Sequence, residues 1–171
     1  MSLTVQVFWA WGAEPILADR LLRSAGRAAD PADPGPIGRL CPACGSDRHG
    51  RPVLPGRATP YLSLSRTHRV TVDAVCDAAP VGEDVEPAGA ADLPGASSAL
   101  LHPAERARDA AERTVTWVRK EALLKATGDG LRIDPAQVRL GPPDRPPELL
   151  AWPGAAPAVR LADVTTAPGH V

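Results

Sequence analysis

The chain has 171 residues, 44% of them apolar and only 4% aromatic, with a formal net charge of −1. That length fits one domain, 1–171, with a core built from Leu, Val and Ala. Near-neutral charge argues against a general nucleic-acid binder, and no apolar run approaches the length of a membrane span.

The opening "LTVQVFW" alternates apolar and polar residues and predicts a strand. "EPILADRLLRSAGRAA" places Ile16, Leu17, Leu21 and Leu22 at helical spacing behind Pro15. A loop, "DPADPGPIG", follows, and "CPACGSDRHGRPVLPGRATP" reads as mostly irregular. "YLSLSRTHRVTVDAVCD" predicts two short strands joined by a polar turn at Arg66–Arg69, and "PVGEDVE" predicts another strand. Residues 87–99 are a small-residue loop. The longest helical pattern is "HPAERARDAAERTVTWVRKEALLKATG", with Pro103 near its start, Gly128 as its stop and a possible break at the β-branched run Thr114–Thr116. The tail predicts about three short strands separated by proline turns. Strands and helices do not alternate strictly, so the fold class is α+β. The first residues lack the basic flank and cleavage site of a secretion signal, so a cytoplasmic location is expected. Three cysteines, an odd count, fit reduced thiols better than a disulfide framework.

Nineteen residues are basic, yet only Lys120 and Lys125 are lysines. On a helix, Trp117, Lys120, Glu121, Leu124 and Lys125 form one continuous stripe. A lysine ammonium is a compact point charge suited to a phosphate oxygen. The plainer reading is a Glu121–Lys125 pair on a surface helix. In "VGEDVEP", strand alternation sends Gly82, Asp84 and Glu86 one way and Glu83 and Val85 the other. Two carboxylates on one face repel each other unless a cation sits between them, and oxygen-only ligands suit Mg²⁺. The plainer reading is a solvent-exposed strand edge.

Together these segments resemble the 4′-phosphopantetheinyl transferases of the surfactin-synthetase-activating (Sfp) type. That family carries a G-x-D-x-E strand, here Gly82 to Glu86, and later W-x-x-K-E-x-x-x-K, here Trp117 to Lys125, before a Gly-rich helix end. "HGRP" (His49 to Pro52) resembles its G-K-P segment, "YLSLSRTHRVTVDAV" its N-x-S-H-S strand pair and "ADRLLRSA" its first-half helix around an arginine. The resemblance runs from about Asp19 to the C-terminus.

The resemblance implies a two-halved fold, roughly 1–80 and 81–171, related by a pseudo-twofold axis, with coenzyme A between the halves. It implies transfer of the phosphopantetheine arm of coenzyme A to a serine of an acyl or peptidyl carrier protein, Mg²⁺-dependent, with release of 3′,5′-ADP. Asp84, Glu86 and Glu121 would hold the metal. Glu121 would also be the base for the serine hydroxyl, Lys125 would sit on the phosphates, and Lys120 would assist. Gly50, Arg51 and Pro52 would line the adenine and ribose end. Ser65 with Arg66, and Arg23, would reach the 3′-phosphate. A monomer that uses neither nucleic acid nor membrane is expected. The chain departs from the pattern in having Arg66 where histidine is usual and Glu83 where an apolar residue is usual. Members are also longer before "HGRP", where 48 residues precede His49 here, and run on into a last strand where this chain has "APGHV". A shortened member with an exposed sheet edge is therefore expected.

"CPACGSDRHG" raises zinc, since Cys41 and Cys44 have ligand spacing with His49 nearby. A structural zinc site takes four ligands, and only Cys76 and His68 remain as candidates, so reduced turn or packing cysteines are the expectation. His102 and His170 read as surface residues. The rival functions are a degenerate relative that binds carrier protein or coenzyme A without turnover, and a small zinc-binding interaction module.

Overall fold

A computed structural model describes residues 3–12, 37–54, 58–91 and 100–171. Strands β1 (Gln6–Trp11), β4 (Tyr61–Arg66) and β5 (Val70–Cys76) form an antiparallel sheet in the order β1-β5-β4. The predicted turn between Arg66 and Arg69 closes the β4–β5 hairpin, with Arg66 opposite Thr71 and Tyr61 opposite Cys76. β5 is buried along its whole length, as a central strand rich in Val with both faces covered must be. β1 is an edge strand and leaves Trp9 and Trp11 exposed. The predicted first-half helix lies outside the described residues.

The stretch expected to be irregular contains a hairpin, β2 (Gly38–Leu40) with β3 (Arg51–Val53). Its strands are three residues each, too short to show a period. The expected strand at "PVGEDVE" is extended but joins no sheet among the described residues, where Pro87 makes an isolated bridge to His170. Its alternation holds nonetheless. Val85 packs with Val70, Val72 and Ala167 on one side. On the other, a Cβ on Gly82 would overlap Ala122 O and Ala126 N, so the glycine lets this segment lie directly on the helix α1 (Ala110–Thr127). Glu86 and Val171 exchange backbone hydrogen bonds at 3.0 Å, and Ala88 N donates to Gly169 O at 2.9 Å. The last residues therefore run antiparallel to 86–88.

α1 starts later than Pro103. Asp109 caps it, accepting from Glu112 N at 2.9 Å. Residues 102–105 instead form a turn in which Glu105 Oε2 accepts from His102 N at 2.7 Å. The β-branched run does not break the helix: the Thr114 and Thr116 hydroxyls donate to the carbonyls of Ala110 and Glu112 one turn back. Gly128 ends the helix as expected, at φ 79°, with its N–H on Leu124 O and Lys125 O. Leu123 packs with Val138 and Leu140, against a fringe including Trp152 and Val159. The tail supplies two strands rather than three, β6 (Arg139–Leu140) and β7 (Leu149–Ala151). Arg119 pins this tail with ion-paired hydrogen bonds to Asp163 (3.0 and 2.6 Å) and further bonds to the carbonyls of Pro142, Pro143 and Arg145. Helix and strands together give the mixed α+β class. Among the described residues no helix is long and apolar enough to cross a membrane.

Asp73 lies in the middle of β5, opposite Leu64 and Phe8, and its Oδ2 has no hydrogen-bond partner. Burial pushes its carboxyl up to about 7 from 3.8, partly offset by the Arg66 guanidinium. The native state thus keeps a proton that the unfolded chain has already released. Stability contributed by this group is full below the unfolded value and falls as pH rises through about 7. Asp73→Asn is expected to flatten that decline and to raise stability on its alkaline side. Urea midpoints measured between about pH 4 and pH 8 check this; a slope equal to wild type would refute it.

Candidate active site

The 82–86 segment and α1 meet along the glycine contact, and acidic groups gather at their junction. Lys125, near the C-terminal end of α1, reaches across: its Nζ donates to Asp84 Oδ1 at 2.6 Å and to Glu83 O at 3.0 Å. Asp84 Oδ2 is buried without a hydrogen-bond partner. Glu86 takes a hydrogen bond from the side chain of Trp117, which lies one helical turn before Glu121 on the same stripe. Glu121 is in electrostatic reach of the same group: burial raises its pKa, Lys125 opposes the rise, and Asp84 and Glu86 add to it.

All of these carboxyls are harder to ionise than usual. Burial is the main cause for Asp84, Glu86 and Glu121 alike. Lys125 opposes the shift in each, and Asp84 adds to it at Glu86 and Glu121. Acids that repel each other in a half-buried place are relieved by a cation. The donor set is oxygen only and includes the partnerless Asp84 Oδ2, which is the donor chemistry of a hard divalent ion such as Mg²⁺, but the three carboxylates do not converge as a ready-made metal cluster among the described residues.

Glu83, the residue out of pattern, turns to the other side. Its Oε2 accepts from Ser65 Oγ at 2.5 Å and its Oε1 from Ser63 Oγ at 3.4 Å, while its N–H donates back to Ser63 Oγ at 3.0 Å. Burial pushes this carboxyl up to about 7, against the pull of Lys125 and Ser65. The serines of β4 and the glutamate therefore satisfy one another. Alternation places Glu83 on the sheet side, and nothing local to it marks β4 as its partner.

Gly50, Arg51 and Pro52 line a cavity of about 370 Å³ together with Ser63, Lys125 and Gly128. Arg51 spans from β3 to the end of α1, donating to Ala126 O at 2.7 Å and lying where a Cβ on Gly128 would be. A cation at the carbonyl end of a helix is well placed. Its Nε has no partner. The structure thus brings four sequence-predicted binding residues, Gly50, Arg51, Pro52 and Lys125, to one cavity. Ser65 and Arg66 do not join them. Ser65 is bound to Glu83, and Arg66, the next residue of β4, points to the opposite face near Asp73. Arg23 lies outside the described residues.

Lys120 is not at the acidic junction. It is fully buried, and its three N–H groups meet Leu100 O (2.7 Å), Glu105 Oε2 (2.7 Å) and Pro135 O (2.9 Å). An ammonium with three donors fits this set; a flat guanidinium does not. The sequence reading missed Glu105, whose Oε1 also accepts from Leu140 N at 2.7 Å. The available clue was a glutamate in a region predicted helical but not on the helix stripe. His102 and His170 are half-buried rather than surface residues. His102 Nδ1 accepts from Ala104 N, and His170 stands edge-on to Trp11 beside Thr67.

Residues 80–164 match the model of the 4′-phosphopantetheinyl transferase superfamily. The matched segment carries Asp84, Glu86, Lys120, Glu121 and Lys125. It leaves Arg23, Gly50 to Pro52, Ser65 and Arg66 outside, so the match is narrower than the resemblance from Asp19 onward. Phosphopantetheine transfer in general is the activity this superfamily implies. None of the curated proteins matches the chain.

Proposed function

We propose that the chain moves the 4′-phosphopantetheine arm of coenzyme A onto a serine of an acyl or peptidyl carrier protein and releases 3′,5′-ADP. It does so as a transferase of the surfactin-synthetase-activating type, a single domain over 1–171 in two related halves. The observation that carries this is the junction itself: Lys125 is ion-paired to Asp84, with Glu86 and Glu121 in electrostatic reach, inside the matched segment and beside a cavity that Lys125 shares with Arg51. The cross-links from Arg51 to α1 and from Ser63 and Ser65 to Glu83 support one working unit.

Arg51 and Lys125 supply positive charge for the phosphates, and Gly50 and Pro52 supply a close backbone wall. Asp84, Glu86 and Glu121 would hold Mg²⁺, which when bound offsets pyrophosphate charge and polarises the attacked phosphorus. Glu121 takes the proton of the incoming serine hydroxyl. The serine oxygen then forms the new bond to phosphorus, and the bond to the 3′,5′-ADP oxygen breaks. In the absence of substrate Lys125 is held by Asp84, and phosphate competes for it. Lys120 contributes through stability and not through contact with substrate.

The test is mass spectrometry of a panel of apo carrier proteins incubated with the chain, Mg²⁺ and coenzyme A. At least one carrier is expected to gain a phosphopantetheine. One observation favours a second reading, a binder without turnover: Asp84 Oδ1 is already engaged by Lys125. Calorimetric coenzyme A binding with every carrier left unmodified would select that reading.

A further inference from the structure

The β2–β3 loop carries a second cluster that the transferase reading does not use. Among the described residues, Cys41, Cys44 and His49 bring their ligand atoms within 4.8 Å of one another. The Cys44 Sγ and His49 Nε2 atoms are 3.5 Å apart, and all three cysteines of the chain are free thiols. The loop is built for this convergence. Cys41 N donates to Ser46 O at 2.9 Å, and Gly45 N donates back to Cys41 O at 2.9 Å. Gly45 takes φ +70°, which turns the chain sharply just after Cys44. The amides of Cys44 and Ala43 point at the Cys41 sulfur. Cys41 is buried, but Cys44 and His49 are exposed, so packing does not explain why these two converge on it.

The geometry points to a zinc site made by Cys41, Cys44 and His49, a clasp on the β2–β3 loop independent of the transferase reading. Two thiolates and an imidazole select zinc over the hard cation suited to the acidic junction. Among the described residues neither Cys76 nor His68 joins the cluster, and the proposed site has three protein ligands with its fourth tetrahedral position open to water. Cys41 and His49 also line the cavity that holds Gly50, Arg51 and Pro52. A metal there fixes the loop from which those residues emerge.

The experiment uses the full chain, reduced and stripped of metal, titrated with Co²⁺ as the spectroscopic probe. One equivalent is expected to give thiolate-to-cobalt charge transfer and the intense visible bands of a tetrahedral ion, and one equivalent of Zn²⁺ is expected to displace it. Cys41→Ser and Cys44→Ser should each lose stoichiometric binding. His49→Ala should weaken it by at least about tenfold, and Cys76→Ser should leave it intact. Zinc should raise the melting temperature of the wild type and not of Cys44→Ser. No charge-transfer band at one equivalent, or a band that survives in Cys41→Ser and Cys44→Ser, overturns the site. Because coenzyme A transfer is not the readout, failure here leaves the transferase reading standing, and the reverse holds.

Discussion

Glu121→Gln is expected to slow phosphopantetheine transfer by at least about a hundredfold while keeping Mg²⁺–coenzyme A affinity within about tenfold. A serine hydroxyl is a weak nucleophile, and a base in hydrogen-bond reach typically contributes about 10²–10⁴-fold. Among the acids of the junction Glu121 has the freest hand. Asp84 is ion-paired to Lys125, and Glu86 is bonded to Trp117. Burial holds the Glu121 carboxyl above its ordinary value, with Asp84 and Glu86 pushing the same way, which makes its ionised form a stronger base. Glutamine keeps the shape and one oxygen ligand but cannot take the proton. Calorimetry beside single-turnover transfer to a carrier protein separates the roles. Affinity falling in step with rate would reduce Glu121 to a ligand. No change in either would make the Glu121–Lys125 stripe the ordinary surface pair that its spacing also allows.

Lys120→Met is expected to cost about 3–5 kcal/mol of stability, the range for removing one partner of a buried ion pair. The lysine side chain is 0% exposed and that of Glu105 is 7% exposed. Without the ammonium, Glu105 keeps only the amides of His102 and Leu140, and the carbonyls of Leu100 and Pro135 lose a donor. Lys120→Arg should also destabilise, since a planar fork cannot meet three acceptors arranged around a point. The double variant Lys120→Met, Glu105→Leu should recover much of the loss, because a buried ion pair replaced as a unit by apolar groups is often near neutral. Urea unfolding of the three variants checks this. A cost below about 1 kcal/mol for Lys120→Met would place the lysine in an exposed pair instead.

The spacing of residues determined what is local in this protein. Alternation and a polar turn specify the β4–β5 hairpin, and Gly128 specifies the end of α1. Both depend only on neighbours along the chain: a period of two, and a residue that tolerates φ 79°. The division of Gly82, Asp84 and Glu86 from Glu83 and Val85 was legible for the same reason, although the segment pairs only at its end, with the last residues. Tertiary structure decided what each face meets. Lys120 and Lys125 share one stripe, yet one is sealed under Leu100 and Pro135 while the other reaches Asp84. Ser65 meets Glu83 rather than a cavity. Cys41, Cys44 and His49 converge because a short hairpin, too brief to show a period, folds their loop back on itself. A charge's fate depends on which acceptors arrive from far along the chain and on how much water they displace, and no local period carries that information.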